Sequence, residues 1–266
     1  MWLRANRIRP VYVEPGPDGL ASAAEAERLV TARTRAVVLV TPGNPSGATV
    51  SPDTIGQFAA LARRRGAALV FDETYRCFRD TDDPPHRLFA EPGWADTVVS
   101  LHSFSKEFAI PGHRVGAIVA GRRLTRQVEK IMDCVAVCAP RIGQEGAWAG
   151  LTFAVDWRAQ RACAMAARRA EFMQVMSHRP GGFELLSCGG FFGWLRHPFP
   201  GHRTADVAAD LLTAQDMLVL PGTAFEPDDR ATLRVSVGNL DADSISMFAE
   251  RLAAVMPPVG ERSATP

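Results

Sequence analysis

The sequence predicts an α/β protein, a mainly parallel sheet with helices on both faces, joined to a smaller α+β domain at the C-terminal end. Three observations carry this. Short apolar, β-branched runs recur between helical stretches over the first 120 residues, long helices without strands follow, and from about residue 181 paired strands return between glycine turns. The chain divides on this reading into a large domain at 1–156, a connector helix with a small domain at 157–256, and a polar, proline-bearing tail at 257–266. A chain of 266 residues is long enough for two such cores.

The runs AVVLV at 36–40, AALVF at 67–71, TVVSL at 97–101 and VGAIVA at 115–120 read as buried strands. Between the first two lies SPDTIGQFAALARRRG, where Ser51 caps, Pro52 suits the first turn and Gly66 ends the helix. Strand, helix, strand is a crossover unit, and sheets built that way bind ligands at the carboxyl ends of their strands. After residue 120 come RLTRQVEKIMDCVAV and a helix from about Trp157 to His178. The small domain then offers the strands FELLS, FFGWLRH and LRVSV, a helix at about 203–215, the turn LPGTAF and a last helix.

Composition excludes several function classes. Thirty basic residues against twenty-nine acidic give a net charge of +1, so no overall field draws nucleic acid or an anionic membrane. No window has the length and apolarity of a membrane span, and the first ten residues lack the apolar stretch of a secretory signal. Five cysteines (Cys77, Cys134, Cys138, Cys163 and Cys188) form no CxxC pair, which argues against a disulfide framework and a zinc site and for a reducing cytoplasm. Cys134 and Cys138, four apart, read as buried packing residues on one helix face.

The chemistry-bearing residues cluster at predicted strand ends. Asp72 follows AALVF directly, with Tyr75 three residues on. A carboxylate emerging there is suited to a buried cation such as a pyridinium, although Asp72 as a loop cap and Tyr75 as a core aromatic are equally ordinary readings. Asn44 lies in TPGNPSG after AVVLV, a turn rigid enough to aim an amide and also common as a plain loop. Lys106 follows TVVSL by a short turn, with Ser103 and Ser105 before it and Arg114 eight residues later. Hydroxyls with a guanidinium suit a phosphate, and a lysine between them suits covalent capture of an aldehyde once its amine has lost a proton.

These motifs, NPSG with Asn44, DETY with Asp72 and Tyr75, and SFSKEFAIPGHRVG with Lys106 and Arg114, occur in the order in which the fold type I aminotransferases of class I and II carry theirs. The chain resembles that family over nearly its whole length. The resemblance implies pyridoxal 5′-phosphate as cofactor, held as a Schiff base by Lys106, which also shuttles the proton. It further implies Asp72 at the ring nitrogen, Asn44 and Tyr75 at the ring oxygen, and Ser103 and Arg114, with Ser105 beside them, at the phosphate. LRVSVGN resembles the family's small-domain strand, which implies that Arg234 clamps the substrate α-carboxylate and that Asn44 is a second substrate-binding residue. Amino-group transfer between an amino acid and a 2-oxo acid, in a homodimer, is the implied activity. Lyase or decarboxylase chemistry on the same cofactor and a non-catalytic remnant stand as alternatives.

The pattern starts well inside the family's. The Gly-rich phosphate turn, the ring-stacking aromatic and the cross-dimer tyrosine have no counterparts here, and a sheet without its first crossover units is expected to expose a strand edge and an apolar face. Ser46 stands where the family commonly has threonine. His197, Trp194 and Phe192 suit either a substrate side-chain pocket or aromatic core packing.

Overall fold

A computed structural model describes residues 2–16, 19–81 and 83–255; the predicted tail at 257–266 lies outside them. The first half runs α1 (Trp2–Ala5), α2 (Ala23–Leu29), β1 (Ala36–Val40), α3 (Pro52–Arg65), β2 (Ala68–Asp72), β3 (Val98–Ser103), α4 (Phe104–Glu107), β4 (Gly116–Ala120) and α5 (Arg122–Val135). The second half runs α6 (Arg141–Phe153), α7 (Val155–Ser177), β5 (Glu184–Gly189), β6 (Phe192–Arg196), α8 (Thr204–Gln215), β7 (Leu220–Pro221), β8 (Thr232–Ser236) and α9 (Ala242–Ala253).

The predicted crossover forms for the predicted reasons. The Ser51 hydroxyl accepts from the Thr54 amide, Pro52 opens the helix and Gly66 closes it in the left-handed conformation at φ 64°. The chain then returns as β2, parallel to β1 and in register, with Leu39 opposite Phe71 and Val40 opposite Asp72. β3 adds parallel to β2, placing Asp72 opposite Leu101. β4 adds antiparallel, with Ser103 opposite Gly116.

Side chains alternate across a strand, so this register sorts the sheet into two faces. Leu39, Leu69, Phe71 and Val98 share one of them, buried with Ile55, Phe58 and Leu61 of α3 and Ala23 and Ala26 of α2. Each such large side chain contributes roughly 1.5–3 kcal/mol by leaving water. On the other face Val38, Val40 and Ile118 are 59%, 36% and 47% exposed, the bare apolar face the sequence predicts. VGAIVA is therefore a strand but not a buried one: β4 lies at the sheet edge and its residues are exposed or half-buried.

The second sheet is antiparallel, in the order β5-β6-β8-β7. Its core joins Phe183, Leu195, Leu233 and Val235 to Phe172 and Met176 of α7, Leu211 of α8 and Ile245 and Leu252 of α9. A Cβ at Gly193 of β6 would lie 2.6 Å from the Phe172 ring, so the helix packs this close only over a bare backbone. α6 is a helix the sequence reading passed over. Cys134 and Cys138 are exposed, contrary to expectation; α5 buries none of its residues, and it ends at Val135, before Cys138.

The β5–β6 hairpin is one place where the sheets join. The NPSG loop sits on the β5–β6 hairpin: the Ser187 hydroxyl donates to the Ser46 carbonyl at 2.7 Å, and Gly47 and Gly189 meet backbone to backbone. Behind the hairpin, buried Arg169 of α7 donates to the Gly190 carbonyl at 3.0 Å and pairs with Asp80.

Candidate active site

The carboxyl ends of β1, β2 and β3 lie side by side because the three strands are parallel neighbours. Asn44 follows the first, Asp72 ends the second, and Ser103 ends the third, with Lys106 on the single helical turn beyond it. The structure thus gathers at one sheet edge the groups that the sequence placed in three separate motifs.

Asp72 is half-buried, and only one of its oxygens is engaged. Oδ1 accepts from the Thr74 amide at 3.0 Å and the Thr74 hydroxyl at 2.7 Å. Oδ2 has no hydrogen-bond partner among the described residues. Lys106 is half-buried as well, and its amine has no hydrogen-bond or ion-pair partner among the described residues. Ser103 caps the lysine turn by accepting from the Ser105 amide at 3.3 Å, and Ser105 itself is buried. Arg114 lies on the exposed loop before β4, in the left-handed conformation at φ 51°, donating to the Pro111 carbonyl at 2.9 Å.

Arg234 comes from the other sheet. Its strand β8 runs between β6 and β7, so it is central, not an edge strand carrying a surface charge. The guanidinium lies 4.9 Å from the Phe192 ring centroid and 4.6 Å from that of Phe225, and donates to Asn44 Oδ1 at 2.8 Å. Two aromatic faces stabilise the cation by about 0.5–1 kcal/mol each at such half-buried sites and leave its edge free for a planar partner. Burial pushes the Arg234 pKa down from its ordinary value, and Tyr75 nearby opposes the shift.

Tyr75 is buried among Phe191 and Phe192, edge-to-face at 5.4 and 5.2 Å. Burial pushes its phenol up, Arg234 pulls it down and Asp72 pushes it further up. Phe192, Trp194 and His197 are all buried; Phe192 lies under the Arg234 guanidinium, and Trp194 is the cross-strand partner of Arg234.

Sequence reasoning missed a polar cluster on the opposite face of the same strand ends. Glu73 is 2% exposed. The Ser100 hydroxyl donates to its Oε2, His86 Nε2 lies 3.5 Å from Oε1 and His102 Nε2 lies 3.7 Å from Oε2. The Leu88 amide donates to His86 Nδ1, so the neutral ring carries its proton on the nitrogen facing Glu73. Burial pushes the Glu73 carboxyl up, but the nearby His86, the Ser100 hydrogen bond and His102 more than offset it, leaving the pKa below the ordinary value. The signal was available: strict alternation sends Glu73 of DETY to the face opposite Asp72, with Ser100 and His102 of SLHS beside it. Phe225, in LPGTAF, left no comparable signal, because its approach to Arg234 is purely tertiary.

Among the described residues no group of three or more His, Cys, Asp or Glu is arranged to hold a metal, and no helix is long and apolar enough to cross a membrane.

Residues 2–252 match the family model described as aminotransferase class I and II. Among curated relatives, the arginine–pyruvate transaminase AruH of Pseudomonas aeruginosa is 29% identical over 249 residues, covering 93% of this chain and 62% of the relative. The aromatic aminotransferase ISS1 of Arabidopsis thaliana is 30% identical over 224 residues, 82% of this chain and 54% of its own length. Among solved structures, a double mutant of the Thermus thermophilus aspartate aminotransferase superimposes with a TM-score of 0.84 at 22% identity, over 96% of this chain and 66% of that one. The aromatic aminotransferase of Pyrococcus horikoshii gives 0.83 at 22% identity, over 92% and 66%. This chain thus spans less than two thirds of the length of the curated relatives it resembles.

Proposed function

Because the chain belongs to the class I and II aminotransferase family, we propose that it moves an amino group between an amino acid and a 2-oxo acid, using pyridoxal 5′-phosphate. One observation carries the reading. Asn44, Asp72 and Lys106 stand on adjacent strand ends of one sheet, and the second sheet delivers Arg234 to within 2.8 Å of Asn44.

The groups left free match the cofactor's needs. Asp72 keeps Oδ2 for a pyridinium N–H while Thr74 holds Oδ1, a charge-assisted bond that stabilises the ring nitrogen in its protonated form. With its Oδ1 committed to Arg234, Asn44 presents its amide NH2 as a donor to the ring oxygen. Tyr75 adds a phenol whose ionisation both Asp72 and Arg234 influence. The Lys106 amine, which has no hydrogen-bond or ion-pair partner among the described residues, would be available for the covalent bond, and Ser103, Ser105 and Arg114 would supply the phosphate seat. When bound, pyridoxal phosphate supplies an electron sink for the bond broken at the substrate α-carbon.

Lys106 would also be the base that takes the substrate α-proton and the acid that returns it. Arg234 fixes the substrate carboxylate; its donors beyond the one held by Asn44 form the fork that carboxylates fit. The two hydrophobic cores support dividing the chain into a large domain at 1–156 and a connector with small domain at 157–256, the site lying where they meet. Homodimer assembly is part of the proposal. Cytoplasmic residence is supported by five cysteines that are all free.

The test is direct. Pyridoxal phosphate added to the purified chain should give a visible band that borohydride fixes on Lys106 and that Lys106→Ala abolishes. A panel of amino acids should then convert the cofactor to its amine form, and 2-oxo acids should restore it. Release of ammonia or carbon dioxide in place of that conversion points to elimination or decarboxylation, and a colourless protein that takes up no cofactor refutes the proposal.

A further inference from the structure

The turn that carries Lys106 cannot orient itself. α4 has four residues, closed by a hydrogen bond from the Phe108 amide to the Phe104 carbonyl at 3.1 Å, and so short a helix has little stability of its own. Something outside must hold it. The next residue, Glu107, is 7% exposed, and its Oε1 receives two donors: Arg158 at 2.7 Å and the Cys77 thiol at 3.1 Å.

These donors come from unrelated parts of the chain. Arg158 lies in the first turn of α7, the long helix leading to the small domain, and Cys77 lies two residues beyond Tyr75. One carboxylate oxygen therefore ties together the lysine turn, the tyrosine segment and the connector helix. We propose that Glu107 is a positioning residue for Lys106: through Arg158 and Cys77 it fixes the lysine-bearing turn relative to Tyr75 and α7, and so sets where the amine meets an incoming aldehyde. The proposal rests on the reading of Lys106 as the cofactor lysine.

The electrostatics agree with this bonding. Burial and Glu107 push the Cys77 thiol up to about 11, whereas Arg158 and Arg76 pull it down. The thiol thus remains protonated at neutral pH, as the donor in this bond must be. His102, on the same side of β3 as Ser100, also feels Glu107, along with Glu73, Arg76 and His86.

Opposite contributions give a test whose signs a general loosening would not reproduce. Cys77 is alkylated with iodoacetamide at pH 8 and quantified by peptide mass spectrometry, apart from the exposed cysteines. Burial raises the thiol most and stays in place, but Glu107→Gln removes the carboxylate's share of the rise, so alkylation should accelerate about tenfold for each pKa unit recovered. Arg158→Gln removes what favours the thiolate, so alkylation should slow. In parallel, covalent capture of pyridoxal phosphate at Lys106 is timed by absorbance and mapped after borohydride. It should slow about fivefold or more in Glu107→Gln and in Cys77→Val, while Cys77→Ser, which keeps a donor, restores the rate.

Faster alkylation in both Glu107→Gln and Arg158→Gln overturns the clamp, as does undiminished capture in Glu107→Gln. Absence of capture at Lys106 in the unaltered chain instead overturns the parent reading, and this proposal with it.

Discussion

Gly47→Ala tests whether the NPSG loop owes its position to the second sheet. Gly47 has φ +72°, and a Cβ there would lie 2.5 Å from the Gly189 nitrogen, 2.5 Å from the Phe192 carbonyl oxygen and 2.7 Å from the Gly189 carbonyl oxygen. All three are backbone atoms, so no side-chain rotation relieves the overlap. An L-residue in the left-handed region costs about 1–2 kcal/mol, and forcing extra atoms into a packed seam costs about 1–3 kcal/mol more. A loss of about 2–5 kcal/mol follows, read as a drop of roughly 1 M in the urea midpoint at a slope near 3 kcal/mol/M. The displaced loop also carries Asn44 away from Arg234, so cofactor affinity should fall with stability. Gly56→Ala is the control: it lies within α3, with nothing within 4 Å of the added carbon, and should be neutral or stabilising by up to about 1 kcal/mol. If Gly47→Ala costs less than about 1 kcal/mol and leaves the affinity unchanged, the docking argument is wrong.

Arg234→Lys should keep the charge but lose the planar fork and the fit between Phe192 and Phe225. About 2 kcal/mol of carboxylate binding then disappears, a drop of about 30-fold in kcat/KM with most of it in KM; a change below threefold would remove Arg234 from the substrate site. Arg169→Ala should destabilise the chain by about 2–4 kcal/mol in chemical denaturation. It strips the Gly190 carbonyl of its donor and leaves a cavity where a side chain only 1% exposed had been; a loss under 1 kcal/mol would contradict that. Stability should also fall with acidification. Burial holds His102 and His197 below the ordinary imidazole value of 6.5, so the unfolded chain binds protons first, and their contribution, complete above that pH, drains as pH falls through it. Glu73, depressed below 4.5, adds stability that is present above that value and is lost as pH falls through its folded pKa. Denaturation midpoints at pH 8, 6 and 5 measure the histidine part, and a flat series would disprove it.

The large sheet was readable because its information is local. A run such as AVVLV followed by Ser51, Pro52 and Gly66 specifies strand, cap and helix within thirty residues, and three such runs order three strand ends. The same locality misled at VGAIVA, where apolar letters gave a strand but not its neighbours: the edge position of β4 leaves Ile118 and Val119 in the open. It misled again at Cys134 and Cys138, since a helix that buries none of its residues among those described reads the same as one that is packed.

Amino-acid order alone picked out the groups to which we assign the chemistry: Asn44, Asp72 and Lys106 stand in motifs that follow or end predicted strands, and Arg234 stands within one. Only the tertiary structure decided how they meet. The 2.8 Å bond from Arg234 to Asn44 spans 190 residues, and the Glu107 carboxylate draws its donors from 30 and 51 residues away. Contacts at such separations leave no periodicity in sequence, because they arise from the docking of two separately formed sheets and the helix between them, with bare backbone at Gly47 and Gly189 letting the sheets close.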